Sequence, residues 1–150
     1  MARLERRVTI RAPAARVWRV LVDPEWLPEW EAGVVAVEGA AESLDRPGAG
    51  CIQVMSFRRR AIHGELEVTE AFAPHRRVSR VQPPLTRSAA RREQLVETDR
   101  GTELTIELSY EIRGGPIGGL LDLALTRPRL AMMLAESARN LKRWVESEPL

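Results

Sequence analysis

The chain has 150 residues, of which 44% are hydrophobic and 29% are charged, and its formal net charge is +2. This composition is ordinary for a soluble globular protein, and no apolar run approaches the roughly 20 residues of a membrane-spanning helix. The N-terminal segment lacks the apolar core of a signal peptide, and the single cysteine, Cys51, cannot form an internal disulfide. We therefore expect one domain over residues 1–150, located in the cytoplasm.

The basic residues are spread along the chain, and all but one of them are arginines. Lys142 is the single lysine. A small net charge without a dominant basic stripe does not favour nucleic acid as a partner. The one dense cluster, Arg58-Arg59-Arg60, falls between two predicted strands. It is interpreted as a solvated hairpin turn, with a patch for an anionic partner as the other reading.

The first thirty residues predict a strand followed by two short helices. Val8 and Ile10 alternate with polar residues, as in a half-buried strand. Pro13 suits the first turn of a helix, and the Asp23-Pro24 pair ends that helix because the residue before a proline avoids helical angles. The apolar positions of the two helices recur at helical spacing. They are Ala14, Val17, Trp18 and Leu21 in the first helix, and Trp26, Leu27 and Trp30 in the second.

Between residues 34 and 112 the hydrophobic period changes to two, which predicts a run of strands. The last strand has the cleanest pattern, with apolar residues from Leu104 to Ile112 alternating with polar ones. One apolar and one polar face indicate an antiparallel sheet that is covered on one side. A proline pair, Pro83-Pro84, ends the fourth of these strands. The predicted strands are 34–38, 50–57, 62–72, 77–81, 88–98 and 103–112.

The C-terminal segment predicts the helix that covers the sheet, because residues 117–147 carry an apolar stripe at helical spacing. An unbroken helix of that length measures about 45 Å. A globule of this size is only about 40 Å across. Pro128 should relieve the mismatch by kinking or breaking the helix near Thr126. We therefore expect a short lead-in over 117–125 and a main helix over 129–147.

Short motifs spread over nearly the whole chain resemble a known family in their order. They are Ile10-x-Ala12-Pro13, Val17-Trp18, Asp23-Pro24-x-x-Leu27-Pro28-x-Trp30, Glu67-Val68-Thr69-Glu70, Pro74-x-Arg76-Arg77-Val78 and Leu141-Lys142-x-x-Val145-Glu146. With the order of elements, they resemble the START-like or SRPBCC superfamily, which includes polyketide cyclase/dehydrase-like proteins. The resemblance implies an α+β helix-grip fold. In that fold a curved antiparallel sheet of about six to seven strands wraps around a long C-terminal helix, with two short helices after the first strand.

The resemblance further implies an apolar cavity between the sheet and the C-terminal helix, where a hydrophobic small molecule or lipid binds. Alternation and helical spacing point several side chains toward that space, although each of them also suits plain core packing. The residues predicted to face the cavity are Ile106, Leu108 and Tyr110 from the last strand and Leu130, Met133 and Leu134 from the helix. Leu121 and Leu125 are predicted as a lid at its mouth, and Trp30 joins the set through the resemblance.

The predicted strand 88–98 departs from simple alternation. One face presents Arg91, Glu93 and Leu95, and the other presents Arg92, Gln94 and Val96. Either register places a charged side chain on the apolar face, where it must be paired or hydrogen-bonded. An Arg91–Glu93 pair on that face would hold a polar part of a ligand. Alternatively, this is a short edge strand that is solvated on both sides.

Compact catalytic motifs are not found in the sequence. His63 and His75 lack recognisable triad partners, no spacing of His, Cys and acidic residues suggests a metal site, and no glycine-rich loop suggests a nucleotide. We therefore expect no metal or cofactor. Three functions remain open: a carrier or sensor of an apolar molecule, a cyclase- or dehydrase-like enzyme, and a protein- or membrane-interaction module. The third would use the arginine-flanked segment 120–125 as an amphipathic contact.

Overall fold

The described residues form seven strands and four α-helices: one strand, two short helices, six strands in succession and two C-terminal helices. The computed structural model describes residues 2–82, 88–112 and 114–147, except for the side chain of Phe57, so the predicted proline pair at 83 and 84 lies outside the described residues. The strands are β1 (Ala2–Ile10), β2 (Val34–Glu38), β3 (Gly50–Phe57), β4 (Arg60–Phe72), β5 (Arg76–Val81), β6 (Ala89–Thr98) and β7 (Gly101–Tyr110). The helices are α1 (Ala14–Val22), α2 (Leu27–Trp30), α3 (Gly115–Leu121) and α4 (Arg127–Ser147).

The strands form one antiparallel sheet in the order β1-β7-β6-β5-β4-β3-β2. Strand β1 therefore pairs with the last strand, and β2 to β7 follow one another as a meander. The pairing register shifts between Val34 and Ala36 and again between Val68 and Glu70, and such bulges bend a sheet. Strands β6 and β7 each bury every second residue along most of their length, so one face of the sheet is shielded from solvent. We call this the dry face. This curved sheet confirms the predicted helix-grip architecture.

The crossing from β1 into α1 is held by contacts that the local sequence does not reveal. Pro13 precedes α1 and has extended backbone angles, and its position leaves the first helical amide groups without partners. The Ala14 amide donates instead to the Glu97 side chain at the end of β6, over 2.9 Å. Asp23 then accepts a hydrogen bond from the Glu25 amide and starts the single 3-10 turn before α2, at Pro24–Trp26. The turn carries the chain across the edge of the sheet.

Helix α4 covers the dry face of the sheet and packs against β1, α1 and α2. Its buried stripe consists of Leu130, Leu134, Ser137, Ala138, Leu141 and Val145, which recur at the predicted helical spacing. At its C-terminal end, Lys142 Nζ donates to the Thr9 carbonyl at 2.6 Å, and Arg16 donates to the Val145 carbonyl at 3.0 Å. These bonds tie the C-terminal end of the helix to β1 and α1.

The predicted break near Thr126 is not observed, because the chain stays helical from α3 to α4. A π-helical segment, Asp122–Thr126, joins the two helices, and the Arg127 amide bonds to the Asp122 carbonyl five residues earlier. Pro128 lacks the amide hydrogen that a regular helix needs. A wider turn just before the proline accommodates that missing bond without ending the helix. The sequence therefore located the irregularity correctly, although the helix does not break there.

The arginine cluster forms the predicted hairpin turn between β3 and β4. Phe57 pairs with Arg60, and Arg58 and Arg59 occupy the two turn positions with φ angles of 50° and 64°. Two-residue turns of this type usually carry Asn-Gly, since side chains of L-residues are strained at positive φ. The turn projects two cationic side chains from the end of the sheet that lies near α4.

Candidate functional site

A small cavity lies between the dry face of the sheet and α4, with a volume of about 50 Å³. Strands β2, β3, β5, β6 and β7 all contribute to its wall, and α4 closes the opposite side. The apolar wall consists of Ala32, Val34, Met55, Val81, Leu108, Leu130, Met133 and Leu134. Four polar residues complete it: Glu31, Gln53, Gln82 and Arg91. The cavity is thus an apolar space with polar groups on one part of its wall.

The two charged residues of the wall, Glu31 and Arg91, belong to a buried chain of four alternating charges. Arg91 Nη1 donates to Glu31 Oε1 at 2.6 Å, and Arg91 Nε lies 3.2 Å from Glu93 Oε2. Behind Arg91, the Arg77 guanidinium makes a two-pronged pair with Glu93, with both N–O distances at 2.9 Å. Side-chain exposure is 1% for Arg77 and 0% for Glu93. We call these four residues the charge chain.

Local geometry explains why each member of the charge chain faces inward. Glu31 follows the single turn of α2, whose last hydrogen bond runs from the Glu31 amide to the Leu27 carbonyl. Arg77 and Glu93 are direct partners in the β5–β6 register, so their side chains lie on the same face. Arg77 also donates to the carbonyls of Leu21 and Leu44. The strands and the α2 turn therefore converge on one ion-pair network.

The charge chain holds Arg91 and Glu93 ionised. Burial alone would raise the pKa of Glu93, but the Arg77 and Arg91 guanidinium groups outweigh it and lower that pKa. Burial alone would lower the pKa of Arg91, yet the Glu31 and Glu93 carboxylates raise it above its ordinary value. Arg91 therefore serves as a permanent donor on the cavity wall and does not release a proton at neutral pH.

Trp30 supports Arg91 from behind. The Arg91 guanidinium carbon lies 5.5 Å from the centre of the Trp30 ring, within the range of a cation–π contact. Trp30 itself is 1% exposed. The ring therefore supports a guanidinium group that lines the cavity.

A family model described as polyketide cyclase/dehydrase and lipid transport matches residues 1–146. The chain belongs to this family. The match covers the sheet, both short helices and nearly all of α4. The family description names two catalytic activities, cyclase and dehydrase, and lipid transport. No curated protein matches the sequence at a significant level.

Solved structures share the fold of this polyketide cyclase/dehydrase and lipid transport family member. A protein from Rhodobacter sphaeroides has a TM-score of 0.74 and 22% identity, covering 98% of this chain and 93% of its own. One from Chromobacterium violaceum has a TM-score of 0.74 and 16% identity, covering 99% and 100%. DynU16, from the dynemicin biosynthetic locus, has a TM-score of 0.69 and 18% identity, and the match covers 97% of this chain and 47% of DynU16. At these identities, the likeness concerns the fold.

Five of the residues predicted to face the cavity line it: Arg91, Leu108, Leu130, Met133 and Leu134. Four others are buried in the adjacent core. Glu93 lies in the charge chain, Trp30 behind Arg91, and Ile106 and Tyr110 within the packed face of β7, with exposures of 0% and 2%. The sequence left two registers open for strand 88–98, and the one with Arg91, Glu93 and Leu95 inward is observed. The edge-strand alternative is wrong, since β6 lies between β5 and β7.

The predicted lid residues do not face the cavity. Leu121 and Leu125 are 51% and 60% exposed. They lie instead in a separate outer groove of about 460 Å³ with Arg58, Ala124, Thr126, Pro128, Arg129 and Met132. The dry face of the sheet is already covered by α4, so the leucines of the preceding segment have no sheet surface left to cover. We call this feature the outer groove.

Three polar cavity residues, Glu31, Gln53 and Gln82, and the charge-chain residue Arg77 escaped sequence reasoning, although two of these four residues had a readable signal. Gln53 lies between Cys51 and Met55 on the buried face of β3. Arg77 lies on the buried face of β5, together with Ser79 and Val81. Polar residues at buried positions of adjacent strands predict pairing or a site. Glu31 carried no such signal, because it follows a single short turn whose orientation depends on α4.

Other reactive groups lie outside this site or are held unreactive. Cys51 is buried, and burial raises the pKa of its thiol to about 11, although Arg77 lowers it in part. The thiol therefore stays protonated at neutral pH. Within the described ranges, no group of three or more His, Cys, Asp and Glu residues is arranged to hold a metal ion. The described helices also include none that is long and apolar enough to cross a membrane.

Proposed function

We propose that this protein binds a small apolar molecule, or the apolar part of a lipid, in the cavity between the sheet and α4. The observation that carries the proposal is the mixed wall, in which eight apolar residues face a few buried polar groups. Ligand sites of this kind combine a mostly apolar lining with a small number of fixed polar groups. Carrier, sensor and catalytic roles all begin with this binding step. The family to which the chain belongs supports the same chemistry.

The size of the cavity determines how a ligand enters. A volume of about 50 Å³ exceeds the 10–15 Å³ that one water requires, but it lies below the roughly 300 Å³ of small ligand sites. Entry therefore requires side chains on the wall to repack. Met55 and Met133 are suited to this, because the unbranched thioether chain changes shape at low cost. Met133 is only half-buried and borders the cavity from α4.

Replacing Met133 by tryptophan is expected to block ligand uptake. The indole ring fills the cavity at a cost of about 1–3 kcal/mol in folding stability, as in other overpacked cores. We expect the wild type to take up the neutral dye N-phenyl-1-naphthylamine in a 1:1 complex, measured by fluorescence titration. Met133→Trp should weaken this binding at least tenfold, which corresponds to about 1.4 kcal/mol.

The neighbouring residue supplies the matched control. Met132 is 69% exposed and lies in the outer groove, so Met132→Trp should leave dye binding unchanged. Thermal unfolding checks that both variants are folded. Native mass spectrometry of the purified protein adds an independent measurement, since a co-purifying apolar molecule should be absent from Met133→Trp. Equal dye binding by all three proteins would contradict the proposal.

We also propose a second candidate function, attachment to an anionic membrane surface through the outer groove and α3. Six of the ten large, exposed apolar side chains in the described part of the chain lie within residues 117–132. They are Ile117, Leu120, Leu121, Leu123, Leu125 and Met132. Arg58 and Arg129 line the same groove. Apolar side chains bordered by arginines match the two attractions of an anionic bilayer, burial of apolar area and charge.

Flotation with vesicles tests this second function. We expect the protein to float with phosphatidylserine-containing vesicles at low salt and to be released as salt screens the charges. Leu120→Asp/Leu123→Asp should reduce the bound fraction at least tenfold, because both side chains are more than 60% exposed. Val96→Asp is the control, since Val96 is 52% exposed on the outer face of β6. No flotation of the wild type, or an equal loss in Val96→Asp, would exclude the membrane and leave a protein partner.

A further inference from the structure

Three polar side chains of the cavity wall each carry a buried atom without a hydrogen-bond partner among the described residues. These atoms are Arg91 Nη2, Glu31 Oε2 and Gln53 Nε2. Arg91 Nε is also without a hydrogen bond, but it lies 3.2 Å from Glu93 Oε2 in the ion pair of the charge chain. Two neighbouring atoms of these side chains are hydrogen-bonded, since Arg91 Nη1 donates to Glu31 Oε1 and Ser137 donates to the same oxygen at 3.2 Å. Arg91 and Gln53 are 7% and 5% exposed. Buried donors and acceptors are hydrogen-bonded in nearly all proteins, so these atoms point to a polar group of the ligand.

The charge chain constrains the charge of that group. Arg77 and Arg91 contribute two positive charges, and Glu31 and Glu93 contribute two negative charges, so the chain is neutral without a ligand. A ligand carboxylate would face the unpaired oxygen of Glu31, and a ligand ammonium would face Arg91. Either charge would be added to a balanced set inside a region of low dielectric constant, where it is costly. The ligand group is therefore neutral.

We infer that the cavity selects apolar molecules that carry a hydroxyl group, such as an alcohol, a phenol or an enol. The hydroxyl oxygen accepts from Arg91 Nη2, with Gln53 as a second donor, and the hydroxyl hydrogen is donated to Glu31 Oε2. A ketone or ester carbonyl accepts hydrogen bonds from the two donors but leaves Glu31 Oε2 without a hydrogen-bond donor. A hydrocarbon forms no hydrogen bond with any of these three atoms. This inference rests on the proposed function and specifies which apolar molecules the site prefers.

A matched series of naphthalene compounds tests the inference, because its members share one apolar body. The dissociation constants of 2-naphthol, naphthalene and 2-naphthoate are measured at pH 7 by displacement of N-phenyl-1-naphthylamine. We expect 2-naphthol to bind about ten- to a hundredfold more tightly than naphthalene, as for hydrogen bonds to charged groups. We expect 2-naphthoate to bind more weakly than 2-naphthol by at least tenfold.

Variants of the polar wall assign the preference to its residues. Glu31→Gln removes the negative charge, so the ratio of the 2-naphthoate to the 2-naphthol dissociation constant should fall at least tenfold. Gln53→Leu removes a donor without touching the ion pairs, so 2-naphthol should lose more affinity than naphthalene. Glu25→Gln is the control, since Glu25 is exposed outside the cavity. If Glu31→Gln does not fold, as judged by circular dichroism, the wild-type series and Gln53→Leu decide the question.

The outcomes separate this inference from the proposed function. Tighter binding of 2-naphthol than of both other compounds supports the hydroxyl preference. Equal binding of 2-naphthol and naphthalene overturns it while apolar binding stands. Tightest binding of 2-naphthoate also overturns it and indicates an anion site. Binding of none of the compounds, with no uptake of the dye itself, overturns the inference together with the proposed function.

Discussion

Replacing Glu93 by methionine should destabilise the protein by about 3–5 kcal/mol, the largest loss that we expect from one substitution in the charge chain. Glu93 is fully buried and balances two guanidinium groups, those of Arg77 and Arg91. Removing the carboxylate leaves Arg77 without a charged partner in the core. The free energy of unfolding, measured by urea denaturation at pH 7, gives the size of the loss.

The double variant Arg77→Met/Glu93→Met separates pairing from burial. It removes one positive and one negative charge together and leaves the Arg91–Glu31 pair intact. We expect it to be less destabilised than the sum of the two single variants by about 2 kcal/mol or more. Part of the loss should persist, because Arg77 also donates to the carbonyls of Leu21 and Leu44. Additive single effects would show that the two side chains do not depend on each other.

The same pair predicts how stability responds to acid. The folded state lowers the pKa of Glu93, so the folded protein binds fewer protons than the unfolded chain at mildly acidic pH. This contribution is fully present above the unfolded pKa of about 4.3, and it is lost as pH falls through the folded pKa. The difference in unfolding free energy between wild type and Glu93→Met should therefore shrink below about pH 4. A constant difference down to pH 3 would contradict the assignment.

The features that the sequence predicts are local ones, whereas contacts between residues far apart in the sequence were missed. Strict alternation in β7 and helical spacing in α4 report burial directly, because each side chain follows its own strand or helix. The order of elements and the family resemblance then supply the topology. The charge chain is different, since Arg91 pairs with Glu31 across 60 residues of sequence. The Arg91–Glu93 contact was predicted, because the two residues are two positions apart on one face of β6.

The error at Leu121 and Leu125 has a similar physical origin. Apolar residues at helical spacing predict a buried face, but they do not predict what surface is available to bury it. Helix α4, with its 21 residues, already occupies the dry face of the sheet. The segment before it extends beyond that face and remains exposed. A cluster of exposed leucines is typical of an interaction surface, and the second candidate function is based on this cluster.

One contact fixes this exposed segment to the sheet, and its removal is the second large effect that we expect. The Tyr110 hydroxyl, at the end of β7, donates to Asp122 Oδ1 at 2.6 Å, and both residues are at least 95% buried. Asp122 begins the π-helical segment, and its other oxygen lies 3.7 Å from Arg127 Nε. Tyr110→Phe should cost about 1.5–3 kcal/mol, because it leaves a buried carboxylate without its closest donor.

The loss of stability in Tyr110→Phe should be greatest in the segment from α3 to the start of α4. Hydrogen exchange of the amides of residues 115–127 is expected to accelerate about ten- to a hundredfold, while that of β7 changes little. Leu130 lies on the cavity wall just beyond this segment, so dissociation of N-phenyl-1-naphthylamine should also become faster. Thr105→Ala, a change in β7 away from Asp122, is the control. Uniform acceleration along the whole chain would mean that Tyr110 acts through the core instead.

Alkaline pH offers an independent readout of the same contact. Burial, followed by the Asp122 carboxylate, raises the pKa of Tyr110 to about 12. In the unfolded chain the tyrosine hydroxyl loses its proton near pH 10. The contribution of Tyr110 to the free energy of unfolding is therefore fully present below pH 10, and it falls by about 2–3 kcal/mol as the pH rises to 12. Tyr110 is the only tyrosine, so ultraviolet difference spectroscopy follows its ionisation directly. Because burial is the larger cause, Asp122→Asn should lower the pKa only in part; a return to about 10 would show that the carboxylate dominates.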